Sequence, residues 1–365
     1  MIKEYAEWRE SNGQPYLEVV AQDPFTAGLL QGKCLVDQIR HMKHYVLHFI
    51  IRYAAKRQSY KKFRELARKG YEKFFPSRYI EEMNGVAEGA RVVDYDDILV
   101  QNCFSDIIYG HLIPDNPENP LLRKFDLGCT AFGIINTQTS DNIPKTLIGQ
   151  NFDYPGYFRR ALSFVHLKSP DKPEVFALRL GGMLCLAAGR NSCGIALTVN
   201  AVKARVQADL TMPVTAKARL CLETANSAEM CYKIIFDLPI GGSCNFLLAD
   251  NTEIIATEVL SKHSVKQNAT TTIVKSNTYV TEQLQQYLTR PNYSKQRQFY
   301  ATGRLDQMYE NKGGMLNDDD LLELLRDQPI ICRKKRLQPK TIAFITRQYF
   351  GTGNPVDNPI GRVPF

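Results

Sequence analysis

"FDLGCTAFGIINTQTSDNIPKTLIGQNFDY", residues Phe125 to Tyr154, decides the reading of this chain. Cys129 follows a glycine, precedes a small hydroxyl residue and opens an apolar, β-rich run. A second such run closes on Gly149-Gln150-Asn151-Phe152-Asp153. A cysteine that only fills a core needs no such setting, whereas a nucleophile freed by cutting the chain in front of it does. Let Gly128 be the residue cut away. Lacking a Cβ, it admits the thiol to its carbonyl. The thiol attacks, the acyl group moves from nitrogen to sulfur, and water releases a new α-amine on Cys129. That amine has an ordinary pKa of roughly 7.7–8.0, so it acts as the base for its own side chain and no histidine is required.

Two regimes flank this stretch. Upstream, "AGLLQGKCLVDQIRHMKHYVLHFIIRYAAKRQ" and "SRYIEEMNGVAEGARV" carry apolar residues at helical spacing. Ser77 is a candidate cap for the second, and "VVDYDDILVQNCFSDII" reads as a further helix entered through Asp94 or Asp96. Leu112 to Gly128, rich in Pro, Asn and Asp, reads as an exposed linker. Downstream, short β-rich runs dominate: "CTAFGIINT", "TLIGQNFD", "LSFVHLKS", "EVFALRL", "MLCLAAG", "GIALTVNAV", "CNFLLAD" and "EIIATEVL". Helices return at Pro213 to Phe236 and Asp318 to Arg326. Strands with segregated helices predict an α+β layered fold.

The 365 residues, 44% apolar and 23% charged, are enough for a substantial core. No run of about 18 apolar residues marks a membrane span, and the first thirty residues carry no signal-peptide pattern. The nine cysteines are odd in number and include no Cys-x-x-Cys pair, so free thiols in a reducing, cytoplasmic setting are expected. There is no P-loop, and the Gly351-Thr352-Gly353 triplet lacks the context of a dinucleotide fingerprint. His41, His44 and His48 share a helical face without companion ligands elsewhere. His166 and His263 are conceivable bases for a Cys-His pair, in settings that are not distinctive. The net charge is +8, concentrated in Arg52 to Phe75 and Arg333 to Arg336. A solvated basic face explains this; the alternative is a non-enzymatic protein that binds a nucleic acid or a membrane surface through Arg52 to Lys73.

In order along the chain, Ile80–Asn102, Gly128–Phe132 ("GCTAF"), Gly149–Tyr154 ("GQNFDY"), Cys193–Val202 ("CGIALTVNAV"), Gly242–Asp250 ("GSCNFLLAD") and Asn292–Tyr300 ("NYSKQRQFY") match one pattern. The chain resembles the penicillin acyltransferase-like family, which includes isopenicillin N acyltransferase and related N-terminal-nucleophile (Ntn) linear amide hydrolases. Phe152 stands where the family usually has Trp, and Ala131 where a second Thr is common. The resemblance implies an αββα sandwich with a mainly helical N-terminal segment. It implies a self-processed zymogen cut between Gly128 and Cys129, giving an α chain (1–128) and a β chain (129–365) that stay together. Cys129 would be the thiol nucleophile, Asp153 the group orienting its amine, Asn245 the oxyanion donor, and Arg297 the support for the thiolate or scissile carbonyl, with Arg304 as the alternative arginine. Tyr154 would contact substrate. The reaction would be hydrolysis or acyl transfer on a linear amide or acyl thioester. It needs no cofactor and no metal. The partners would be a small-molecule amide or acyl substrate and the two cleaved chains, with no nucleic acid and no membrane.

Overall fold

A computed structural model describes residues 3–48, 60–119, 128–136, 145–237, 239–289, 294–332 and 340–365. The basic runs at 52–59 and 333–336, residues 120–127 of the expected linker, residues 137–144 and Asn292 lie outside the described residues.

Fifteen strands among these residues form two sheets. The larger runs β1 (Tyr5–Ser11), β2 (Gln14–Val20), β5 (Leu162–Lys168), β6 (Val175–Leu180), β7 (Ala188–Asn191), β8 (Ala196–Ala201), β9 (Ser243–Ala249), β10 (Ile254–Leu260), β11 (His263–Asn268). The smaller runs β12 (Thr272–Lys275), β3 (Thr130–Asn136), β4 (Lys145–Pro155), β13 (Lys340–Thr346), β14 (Tyr349–Thr352), β15 (Gly361–Arg362). Neighbours are antiparallel except β2 and β5, which are parallel. Alternation along β3 explains the layering. Ala131 and Ile135 meet Ala196, Leu247 and Ile254 of the large sheet. Phe132 and Ile134 face the other way, into a core with Leu305, Leu321 and Leu325.

Seven helices matter here: α1 (Pro24–Cys34), α2 (Ser77–Ala90), α3 (Tyr95–Asn102), α4 (Val214–Thr224), α5 (Ala228–Phe236), α6 (Ser294–Asn311) and α7 (Asp318–Arg326). α4 and α5 cover the large sheet through Leu222, Cys231 and Ile235. α6 and α7 cover the small one through Ala301, Leu305, Leu321 and Leu325. The result is a four-layer αββα sandwich, with the N-terminal helices added to it. α3 enters through Asp94, whose carboxylate caps Asp97 N–H at 3.0 Å while Asp97 returns the bond.

The structure departs from the sequence reading at several places: Leu112 to Asp115, read as the start of an exposed linker, is a helix end in which Leu112 and Ile113 are buried in the core, and β11 to β15 were not foreseen. β1 and β2, unforeseen, are joined by Asn12-Gly13 with φ of 49° and 79°, the two-residue turn that an Asn-Gly pair favours. Ser77 is the first helical residue of α2, behind an N-cap Pro76, and caps nothing. "MLCLAAG" is a loop up to Ala187, made apolar by burial rather than by strand pairing. Gln101 Oε1 accepts from Gly182 N–H (2.7 Å), and Asn102 Oδ1 accepts from Leu184 N–H (2.8 Å), so α3 holds the first half of this loop, while Leu186 N–H and Ala187 O bond the β6 and β8 backbones.

α1 and α2 meet through glycines. A Cβ on Gly85 would lie 2.1 Å from Phe25 O, and one on Gly28 2.0 Å from Glu82 O. Gly85→Ala must therefore push two helix backbones apart, at a cost of roughly 1–3 kcal/mol for overpacking. The expected result is a melting temperature lowered by several degrees. An unshifted thermal melt would refute the tight seam.

Candidate active site

Cys129 stands one residue before β3, wholly buried. Burial pushes its thiol up to about 11. Hydrogen bonds from the Asn277 side chain and the Asp153 backbone, and the charge of Arg297, pull it back, while the Asp153 carboxylate raises it. Asp153 also touches the Gly128–Cys129 junction directly: its carbonyl accepts from Gly128 N–H at 3.1 Å. The β3–β4 register sets this proximity, pairing Thr130 with Asn151 and so bringing residues 128 and 129 beside 153 and 152.

Arg297, from the first turns of α6, is buried. Its Nη2 donates to Cys129 O (3.2 Å), Asn277 Oδ1 (2.6 Å) and Ser294 Oγ (3.2 Å). Asn277 is thus held by Arg297 next to Cys129, and its Nδ2 donates to Ala201 O at 2.8 Å. Sequence reasoning missed Asn277. Its one local signal was the Ser276-Asn277-Thr278 cluster after an apolar run, which reads as an ordinary turn. Arg304 turns away instead, pairing with Asp327 (3.1 Å) and Glu323 (3.3 Å) near α7.

Asn245, on β9, does not meet the thiol in this way. Its Nδ2 donates to Ser276 O (2.9 Å) and Thr278 O (2.7 Å), which uses both amide hydrogens. Asn200, its cross-strand partner on β8, donates to Lys275 O at 2.6 Å. Gln150 of β4 spans the sheets, donating to Val199 O at 2.9 Å and to Asn200 Oδ1.

Cys129 lies at the wall of a small cavity. Phe152, Tyr154, Leu186, Ala187, Val199, Ala201, Val214, Gly242, Ser243 and Cys244 line it, together with Ser105 and Tyr109 from before the Gly128–Cys129 junction. No ionisable carboxylate, lysine or arginine is in that lining. Tyr154 stacks on Phe152 (4.2 Å between centroids), and burial drives its hydroxyl well above the ordinary range. The segment before Cys129 is tied to the segment after it by buried charge: Glu82 of α2 pairs with Arg179 (3.4 Å) and Arg219 (3.3 Å).

The histidines lie elsewhere. His41 Nε2 contacts Tyr157 O at 2.6 Å, and His44 and His48 pack edge to face. His166 meets Glu174 at 2.7 Å, and His263 stacks on Tyr287. None lines the cavity. Among the described residues no group of three or more His, Cys, Asp or Glu side chains could hold a metal ion, and no helix is long and apolar enough to cross a membrane. In the described part of the basic segment, Arg64 pairs with Asp94, Asp96 and Asp97, and Arg68 with Glu72 and Asp96.

Residues 139–346 match the family described as acyl-coenzyme A:6-aminopenicillanic acid acyl-transferase. A protein of Archaeoglobus fulgidus, described as uncharacterized, is 33% identical over 143 residues, 37% of this chain. That match spans about a quarter (24%) of the relative's own length. Three solved structures are similar. One is a Caenorhabditis elegans ortholog of N-acylethanolamine-hydrolyzing acid amidase (TM-score 0.44, 11% identity, 60% of this chain and 92% of that one). Another is a conjugated bile acid hydrolase from Clostridium perfringens (0.42, 12%, 64% and 92%). The third is penicillin V acylase from Agrobacterium tumefaciens (0.36, 13%, 61% and 82%).

Proposed function

We infer the activity from one premise: the chain belongs to the acyl-coenzyme A:6-aminopenicillanic acid acyl-transferase family. The reading is an enzyme that cleaves itself between Gly128 and Cys129 and then acts on a linear amide, or an acyl thioester, through an acyl group on Cys129. The observation that carries it is the Arg297 guanidinium joining the Cys129 carbonyl to Asn277, beside a thiol at the wall of an uncharged cavity.

In maturation, the Cys129 sulfur bonds to the Gly128 carbonyl carbon, the Gly128–Cys129 C–N bond breaks, and the departing amine takes the thiol proton. Water then hydrolyses the thioester, leaving a Gly128 carboxylate and a free Cys129 amine. In turnover, that amine accepts the thiol proton while sulfur attacks the substrate carbonyl, and later returns the proton to the leaving amine. The acyl group passes to water or to an acceptor amine. Asp153, against the Gly128–Cys129 junction, orients the amine. Asn277, which lowers the thiol and is held by Arg297, is the side-chain donor for the oxyanion. In this reading the role falls to Asn277 and not to Asn245, both of whose amide hydrogens bond backbone carbonyls. An uncharged, aromatic-walled cavity favours an apolar acyl group, contacted by Tyr154. Pieces 1–128 and 129–365 stay associated because Ser105, Tyr109 and Glu82 are built into the second piece's pocket and core.

The test is the intact mass of purified protein, paired with hydrolysis of phenylacetyl p-nitroanilide. Two co-purifying pieces ending at Gly128 and beginning at Cys129, with release of p-nitroaniline, are expected. One uncut chain that turns the substrate over would overturn the reading. A salt-sensitive complex of an inert, uncut chain with nucleic acid or anionic vesicles would favour the basic-surface alternative.

A further inference from the structure

We propose that Asn245 and Glu258 are positioning residues: together they clamp residues 275–281 so that Asn277 is aimed at Cys129. The inference rests on the proposed reaction at Cys129 and goes beyond it.

The inter-sheet face of the large sheet is apolar where it meets the small one, through Ala196, Leu247, Ala249 and Ala256. One row across it is polar. The registers place Asn200, Asn245 and Glu258 side by side on β8, β9 and β10. All three are buried to within 1%, and such groups are retained in a core only with partners. Their partners fall in succession along one segment. Asn200 donates to Lys275 O (2.6 Å). Asn245 donates to Ser276 O and Thr278 O. Glu258 accepts from Val280 N–H (2.9 Å), Thr281 N–H (3.1 Å) and Lys275 Nζ (2.8 Å). From the opposite side, Gln298 of α6 accepts from Ser276 N–H at 2.8 Å. The segment has no ladder of its own past Lys275, where β12 ends. Side chains therefore do what strand pairing would do, and they do it on both sides of Asn277.

The orientation of Asn245 is fixed by the same geometry. Its other end, Oδ1, is buried without a hydrogen-bond partner. Turned over, the amide would place that oxygen against two carbonyl oxygens, so the nitrogen faces the segment. An oxyanion needs a donor, and Asn245 offers none toward the cavity. It acts through Asn277.

A double-mutant cycle tests this. The rate of phenylacetyl p-nitroanilide hydrolysis is measured on the matured protein for Asn245→Ala, Asn277→Ala and the double variant, over a range of pH. Asn277→Ala is expected to lower kcat by roughly 100-fold, as for one oxyanion donor. Asn245→Ala is expected to cost roughly 10-fold, with KM little changed and the profile displaced to higher pH, the direction expected when the Asn277 hydrogen bond to the thiol is weakened. In the double variant the Asn245 change should add nothing to the Asn277 change, in rate or in pH profile. Multiplying effects would mean that Asn245 acts on the substrate itself, and a wild-type profile for Asn245→Ala would mean that the clamp is idle; either overturns the proposal. If Asn245→Ala does not mature, Asn245→Ser, which keeps one donor, is carried through the same cycle with the same two criteria. Glu258→Gln should reproduce the Asn245 result, since it weakens the other end of the clamp. Cys129→Ala is run beside them. Activity surviving in that control refutes the reaction at Cys129, whereas a multiplicative cycle with a dead control refutes the clamp alone.

Discussion

Cys129→Ala is expected to yield one uncut chain that releases no p-nitroaniline. Both losses have one cause. Without sulfur no acyl group can leave the Gly128–Cys129 nitrogen, so the amine that serves as base is never made. Even a chain supplied already cut would lack the atom that carries the acyl group. Cys244 shares the cavity, but burial holds its thiol far above the ordinary range and Arg297 contacts the Cys129 carbonyl instead. Cys129→Ser separates the two steps. Its hydroxyl can still accept the acyl group from nitrogen, so slow cleavage is expected, with turnover depressed further because a hydroxyl is the weaker nucleophile. Cys103→Ala is the control. That thiol is equally buried, and its loss should cost roughly 1–2 kcal/mol of stability, as a small core truncation does, while leaving cleavage intact. Amide hydrolysis by pure Cys129→Ala protein would refute the nucleophile assignment.

What the chain disclosed on reading, and what it withheld, divides by the kind of information involved. The strand at Thr130, the two runs around Gly149 and Gly242, and the helix at Asp318 were legible because each is a local periodic pattern with its own stop signals. Cys129 was legible because a cysteine at a strand start behind a glycine is a local oddity. Asp153 and Arg297 entered through ordered resemblance, and the structure sets both against Cys129. Asn277 has no local mark. It follows a strand of four residues, and its placement comes from bonds to residues 20 to 150 positions away in sequence, namely Arg297, Cys129 and Ala201. Asn245 also entered through the resemblance, on a clean β-run, but sequence does not show which way its two hydrogens point. "MLCLAAG" misread as a strand because a buried apolar loop and a buried strand have the same composition. The difference lies in its first half, where Gln101 and Asn102, eighty residues upstream, bond Gly182 and Leu184 while Leu186 and Ala187 already bond β6 and β8.

Arg297→Ala is expected to lower kcat by roughly 10²–10³-fold, which at the upper end is about 4 kcal/mol of barrier. Three contacts are lost at once: the bonds to Cys129 O, Asn277 Oδ1 and Ser294 Oγ. Asn277 loses the partner that polarises its amide, so its remaining hydrogen is both weaker and less well aimed at sulfur. The pH dependence has a definite sign. The guanidinium is among the groups that lower the Cys129 thiol, against burial that raises it. Removing it leaves less thiolate at a given pH, so the activity lost at neutral pH should be partly recovered as pH rises. Arg297→Lys splits the two contributions. An ammonium keeps the charge, but without a planar fork it does not hold the same three acceptors. A lysine variant that recovers the wild-type pH profile while kcat stays low would show that the field and the scaffold are separate functions of one side chain. Recovery of both would reduce Arg297 to its charge. Arg304 supplies the comparison, because its ion pairs with Asp327 and Glu323 are partly solvated and contribute little. Arg304→Ala should therefore leave both kcat and the pH profile near wild type. If instead Arg304→Ala fell and Arg297→Ala did not, the bridge from Cys129 to Asn277 would have no part in the chemistry, and the thiol would have to be activated by Asp153 and its own amine alone.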